Sequence, residues 1–215
     1  MTRAEIERRL RLYRPSEQPR ASFPQKDEAR GDHQLNQGQD PPANPRPASV
    51  LVPLVEREPG LTVLLTQRTA DLPSHAGQVA FPGGRWQESD ADQIATALRE
   101  TQEEVGLLPD RIDVVGRLDT YLTGTGFAVT PIVGFVRPPF ELQADPREVA
   151  DIFEVPLAFF LDPAHHELRS AVWGGRERRF YVMPYENRYI WGATAGMLKN
   201  LYDVLMADTP TEAVS

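Results

Sequence analysis

Apolar residues recur with helical spacing in three stretches of the chain. Residues 2–13 place Ile6, Leu10 and Tyr13 on one side of a short helix. Residues 91–105 do the same with Ile94, Leu98 and Val105, and residues 193–206 with Met197, Leu198, Leu201 and Leu205. Asp90 followed by Gln93 has the spacing of a capping box. Gly106 stands where a helix C-cap glycine belongs, and Pro109 follows it.

Elsewhere the pattern is that of strands. SVLVPLVE and LTVLLTQR are joined by the turn REPG, and Pro53 predicts an edge or a bulge in the first. IDVVGRLDTYL and AVTPIVGFV flank the loop TGTG. DIFEVPLAFFL reads as a strand entering a short helix, and RRFYVMPYE and NRYIWG as further strands. Strands interleaved with two main helices predict an α/β (α+β) sandwich.

The stretch from Pro15 to Pro47 holds seven prolines and few apolar residues, which predicts a linker, either disordered or loosely wrapped. The expected division is an N-terminal helix and arm over 1–47, a domain over 48–207 and a flexible tail over 208–215. Deleting residues 1–40 is expected to leave catalysis largely intact, because the arm offers little apolar area.

Composition narrows the function. There is no cysteine, which removes disulfides, thiol nucleophiles and thiolate metal sites and fits a cytoplasmic protein. The N-terminus has no signal-peptide pattern, and no apolar run reaches membrane-spanning length. The formal charge of −8 argues against a nucleic-acid binder. It leaves room for a small phosphorylated substrate, because a metal ion can bridge two anionic parties.

The chemistry concentrates in FPGGRWQESDADQIATALRETQEEVGL, residues 81–107. On a helix Glu100, Glu103 and Glu104 project from one side. Like charges so spaced cost roughly 0.2–0.5 kcal/mol per pair. They also sit at the C-terminal end, where the helix dipole disfavours anions. A solvated acidic face is the plain alternative. Arg99 can pair with Glu103, leaving Glu100 and Glu104 to a hard divalent cation such as Mg²⁺. FPGG upstream is a turn with accessible backbone groups.

This segment resembles the Nudix box. Gly84, Arg99, Glu100, Glu103, Glu104, Gly106 and Leu107 match it. The gap from Gly84 to Arg99 is one residue longer than usual, Asp90 or Glu88 replaces the early glutamate, and Thr101 stands at an aliphatic position. LLTQRTADLPSHAGQVAFPGG (64–84), TALRE and WGATAG (191–196) further resemble the coenzyme A pyrophosphatase subgroup, with Thr69 and Pro73 as departures.

The resemblance implies a Nudix-type α/β/α sandwich with a mixed β-sheet. It implies metal-dependent hydrolysis of coenzyme A or its derivatives to 3′,5′-ADP and 4′-phosphopantetheine. Mg²⁺ or Mn²⁺ is the implied cofactor, held by Glu100, Glu104 and the Gly84 carbonyl. Glu103, held by Arg99, is a candidate to activate water, with Glu148 as its rival. Arg68, Arg85, His75, Gln78 and Tyr121 are candidate substrate contacts. The partner is a small-molecule nucleotide, with no nucleic acid and no membrane, and a homodimer is compatible with the reading. Two alternatives stay open: the same chemistry on ADP-ribose, NADH or an oxidised nucleotide, and a non-catalytic nucleotide sensor. His165 and His166 are expected at the surface, Trp191 in the core, and RERR (176–179) in a solvated hairpin turn.

Overall fold

In chain order the elements of the computed structural model are α1 (Arg3–Leu12), β1 (Arg30–Gly31), α2 (Asp32–Leu35), β2 (Arg46–Val55), β3 (Thr62–Arg68), β4 (Val79–Ala80), β5 (Gly83–Arg85) and α3 (Gln93–Val105). Then come β6 (Ile112–Arg117), β7 (Tyr121–Leu122), β8 (Phe127–Val136), β9 (Val149–Pro156), α4 (Leu157–Phe160), β10 (Glu167–Trp173), β11 (Arg176–Tyr185), β12 (Arg188–Trp191) and α5 (Gly192–Met206). The structure describes residues 1–13, 29–36, 38, 40–72 and 74–207. The expected tail over 208–215, residues 15–28, 37 and 39 of the proline-rich arm, and Pro73 lie outside the described residues.

The main sheet is mixed. Its path runs β1-β7-β8-β2-β3-β4, with β5 on β2, β6 on β8 and β9 on β3. β2 and β8 pair in parallel along ten residues, while β3, β5, β6 and β9 join antiparallel. β2 alternates between two cores. Leu51 and Val55 pack with Ala97 and Val105 of α3, and Val52 and Leu54 pack with Ile6 of α1 and Leu198 and Leu201 of α5. Helices therefore cover both faces, which is why β2 reads as a continuous apolar run. This is the expected α/β/α sandwich.

Several expectations need correction. β2 is interior, so Pro53 marks no edge. Pro53 falls between the β5 pairing at Ala48–Val50 and the β3 pairing at Leu54–Val55, where neither strand is in register with it. α1 is part of the main core: Ile6 is fully buried and Leu10 nearly so. Arg3 pairs with Glu7, Glu56 and Asp113, and Arg9 donates to the Leu205 carbonyl at 2.5 Å. Part of the arm is also built in, since Arg30–Gly31 pairs with Tyr121–Leu122 and Ala29 is buried.

The three-stranded sheet β10-β11-β12 includes a strand the sequence reading omitted, β10. RERR opens β11, and the turn before it is Gly174–Gly175, both with left-handed backbone. Trp191 is half-buried in an aromatic cluster with Trp173, Phe180 and Tyr189. His165 and His166 are half-buried, bonding the carbonyls of Phe159 and Phe160 at 2.9 and 2.8 Å.

Candidate active site

The site is built on α3 and what closes around its C-terminal end. The helix starts two residues later than expected. Asp92 is the N-cap and accepts from the Ala95 N–H at 2.8 Å, in place of a box at Asp90. Gly106 ends it in the left-handed region, with φ 72°. Its buried face is Thr96, Ala97, Thr101, Glu104 and Val105. Ile94, expected to face the core, is exposed. Thr101 takes an aliphatic position because its hydroxyl is satisfied locally, by donation to the Ala97 carbonyl at 2.7 Å.

Arg99 is a hub. Its Nε and Nη2 grip Asp90 at 2.8 and 2.9 Å, and Nη1 reaches Glu100 at 2.9 Å and Glu103 at 3.0 Å. Nη2 also donates to the Arg85 carbonyl at 3.1 Å. The expected Arg99–Glu103 pair is present, but Glu100 is not left unpaired. Asp90 also accepts from Thr96 Oγ1 and the Gln87 N–H, each at 3.0 Å. The Arg99 guanidinium, with these bonds, holds the Asp90 carboxyl well below the usual carboxylate range against the effect of burial. Between the two candidates for the early acidic position, Asp90 is buried and takes the arginine, while Glu88 is exposed.

Glu100 and Glu104 meet the glycine turn. The Gly83 N–H donates to Glu104 Oε2 at 3.1 Å. A methyl group at Gly84 would overlap the Glu100 carboxylate, so the close approach requires glycine. Burial pushes the Glu104 carboxyl up to about 7; the Gly83 N–H and Arg68 oppose the rise, and Glu148 and Glu100 add to it. Burial raises Glu100 too, with Arg99 opposing and Glu103 and Glu148 adding.

Residues 143–149 close the other side. The Gln143 and Asp145 N–H groups cap the Val105 and Glu104 carbonyls, each at 2.9 Å. This brings Asp145, Arg147 and Glu148 to a cavity of about 230 Å³ that they line with Glu100, Glu103 and Glu104. Arg147 grips Asp145 at 2.6 Å and holds its carboxyl at about 2. Glu148 has no side-chain hydrogen bond or ion pair among the described residues, and its carbonyl accepts from the Thr69 N–H at 3.0 Å. Asp145 and Arg147 escaped the sequence reading, because only folding brings this loop to the helix.

Arg68 belongs to the site. It leaves β3 at a register shift beside Gln67, and its Nη1 lies 3.8 Å from Glu104. Its buried Nε has no hydrogen-bond partner. His75 and Gln78 bond each other at 2.8 Å in the turn between β3 and β4, and no bond joins either to the carboxylates. Tyr121, a candidate substrate contact, is buried against Gly196, with its hydroxyl donated to Asp32 at 2.7 Å.

Oxygen-only donors that are partly buried suit a hard divalent cation. Glu100, Glu104 and the backbone at Gly84 fit that role. Among the described residues no three acidic or histidine side chains enclose one point. Such a partial set fits Mg²⁺, which keeps waters and shares its shell with phosphate.

Comparison with known proteins gives the family. The NUDIX domain model matches residues 45–173. A Cronobacter sakazakii protein named "Uncharacterized Nudix hydrolase NudL" is 46% identical over 159 residues, covering 74% of this chain and 82% of the relative. Its Shigella flexneri namesake is 44% identical over 161 residues, covering 74% and 83%. Among solved structures, a Caenorhabditis elegans Ap4A hydrolase aligns with TM-score 0.44 and 21% identity, covering 53% of this chain and 81% of that one. The NUDIX domain of Shewanella oneidensis NrtR, complexed with ADP ribose, aligns with TM-score 0.42 and 22% identity, covering 74% and 85%. With the family model spanning more than half its length, the chain belongs to the Nudix hydrolases.

Proposed function

We propose that this Nudix pyrophosphohydrolase splits the diphosphate bridge of coenzyme A or its thioesters into 3′,5′-ADP and 4′-phosphopantetheine or its acyl form. The observation that carries the diphosphate chemistry is the pair Glu100 and Glu104, held against Gly83 and Gly84 with raised carboxyl pKa values. The coenzyme A assignment is supported by the resemblance of residues 64–84, which contribute Arg68 and the glycine turn to the site.

Mg²⁺ or Mn²⁺ bound by Glu100, Glu104 and the Gly84 carbonyl would neutralise phosphate charge and acidify water. The protein's own groups orient the rest. Arg99 fixes Glu100 and Glu103 relative to Asp90. Arg68, whose Nη1 lies 3.8 Å from Glu104, would hold a phosphate oxygen by a charge-assisted contact. Water attacks one phosphorus, the bridging P–O bond breaks, and the water proton passes to a carboxylate. Glu148 suits that role better than Glu103, because Arg99 already engages Glu103.

A panel of coenzyme A, dephospho-coenzyme A, ADP-ribose, NADH and oxidised nucleotides, with Mg²⁺ and with Mn²⁺ and products identified by mass, tests this. Coenzyme A should give the highest kcat/KM. Equal or better use of ADP-ribose would sink the coenzyme A assignment.

A further inference from the structure

Two arginines share one aromatic ring beside the active site. The Cζ of Arg46 lies 4.1 Å from the centre of the Phe127 ring, and that of Arg85 lies 5.4 Å from it. The sheet sets this arrangement. Arg46 is in register with Phe127 across β2 and β8, and Arg85 with Ala48, two residues along β2 on the same face as Arg46. Both arginines are exposed, and neither has an ion-pair partner among the described residues.

Two guanidinium groups over one ring repel each other. An exposed cation–π contact offsets little of that repulsion. In a chain of net charge −8, carboxylates to relieve the pair are plentiful, yet none among the described residues pairs with either arginine. The guanidinium fork matches a phosphate, and two such forks match a dianion.

The position says which phosphate. The Arg85 carbonyl accepts from the active-site Arg99, and Gly84, the residue before it, abuts Glu100. Arg46 lies three residues along β2 from Ser49, the register partner of Gly84, a span of about 10 Å at the usual strand rise. The cluster is thus next to the diphosphate site but distinct from it. We propose that Arg46 and Arg85, stacked on Phe127, form a subsite for a phosphomonoester on the substrate's nucleoside, remote from the bridge that is cut. This rests on the coenzyme A reading, since coenzyme A carries such a 3′-phosphate and dephospho-coenzyme A and ADP-ribose do not.

The test uses the full-length protein and the variants Arg46→Ala, Arg85→Ala and the double variant. Two ratios are measured: kcat/KM for coenzyme A over dephospho-coenzyme A, and calorimetric affinity for 3′,5′-ADP over 5′-AMP. Thermal unfolding confirms that each variant folds. The wild type should favour the extra phosphate by about tenfold or more in both ratios, as a charge-assisted contact allows. Each single variant should narrow the ratios, and the double variant should bring them near one. Ratios that persist in the double variant overturn the subsite and leave the coenzyme A reading standing. A wild type indifferent to the phosphate overturns both, while continued cleavage of the diphosphate would keep the chemistry of Glu100 and Glu104.

Discussion

Glu104 Oε2 accepts the Gly83 N–H at 3.1 Å, so the turn before α3 and the last acidic turn of that helix form one unit. Gly84 is the tightest point, since any side chain there meets the Glu100 carboxylate. Gly84→Ala should lower kcat by about 10²-fold, the effect of a misplacement near 1 Å in a catalytic site. Thermal unfolding should show a folded protein. A near-normal kcat would mean that Glu100 does not need its present place.

The Glu104 carboxyl is raised from 4.5 to about 7 in the folded protein. The folded state therefore holds this proton more tightly than the unfolded state. The stability it contributes is full below about pH 4.5 and is lost as pH rises through about 7. Glu104→Gln removes the loss. In chelator-treated protein, the Tm of Glu104→Gln relative to wild type should rise between these pH values. A difference that stays flat with pH would contradict the account.

Asp90 is the opposite case. Its carboxyl is depressed, so its contribution is present above the unfolded value of 3.8 and is lost as pH falls below it. Asp90→Asn should lower stability at neutral pH by roughly 1–3 kcal/mol, the range for breaking a charged hydrogen bond. It should also lower kcat, because Arg99 loses its bidentate anchor. Urea unfolding at an unchanged midpoint would show that the pair is dispensable.

α1 should matter for folding and not for chemistry. Ile6 is fully buried in the main core. Ile6→Ala should cost roughly 2–5 kcal/mol by urea unfolding. The kcat per folded molecule should stay at the wild-type value. Deletion of residues 1–40 should destabilise the protein, contrary to what its polar arm suggests in sequence. Undiminished stability in either variant would mean that α1 does not pack as observed.

Long-period signals were legible where apolar residues dominate. Met197, Leu198, Leu201 and Leu205 all face the core, and Gly106 ends α3 as its position implied. The acidic residues of α3 were legible because their spacing is local. What failed has physical reasons. Ile94 looks like core by hydrophobicity, but the helix packs through the smaller Ala97 and Thr101. Asp90 and Asp92 are both possible caps in sequence, and only the fold shows that Arg99 claims Asp90. β10 is mostly exposed, so no apolar alternation marks it. Asp145 and Arg147 reach the site across some 40 residues of chain through backbone bonds to Glu104 and Val105, which leave no pattern.

The central claim is that Glu100 and Glu104 hold the divalent cation on which diphosphate cleavage depends. Calorimetric titration of Mn²⁺ into the wild type, Glu100→Gln and Glu104→Gln, with coenzyme A turnover and thermal unfolding measured on the same samples, tests it most directly. The account predicts folded variants whose Mn²⁺ affinity falls by about tenfold or more, together with a kcat lower by about 10²–10³-fold, as when one charge-stabilising group is removed. Wild-type Mn²⁺ affinity or near-normal turnover in both variants would contradict it.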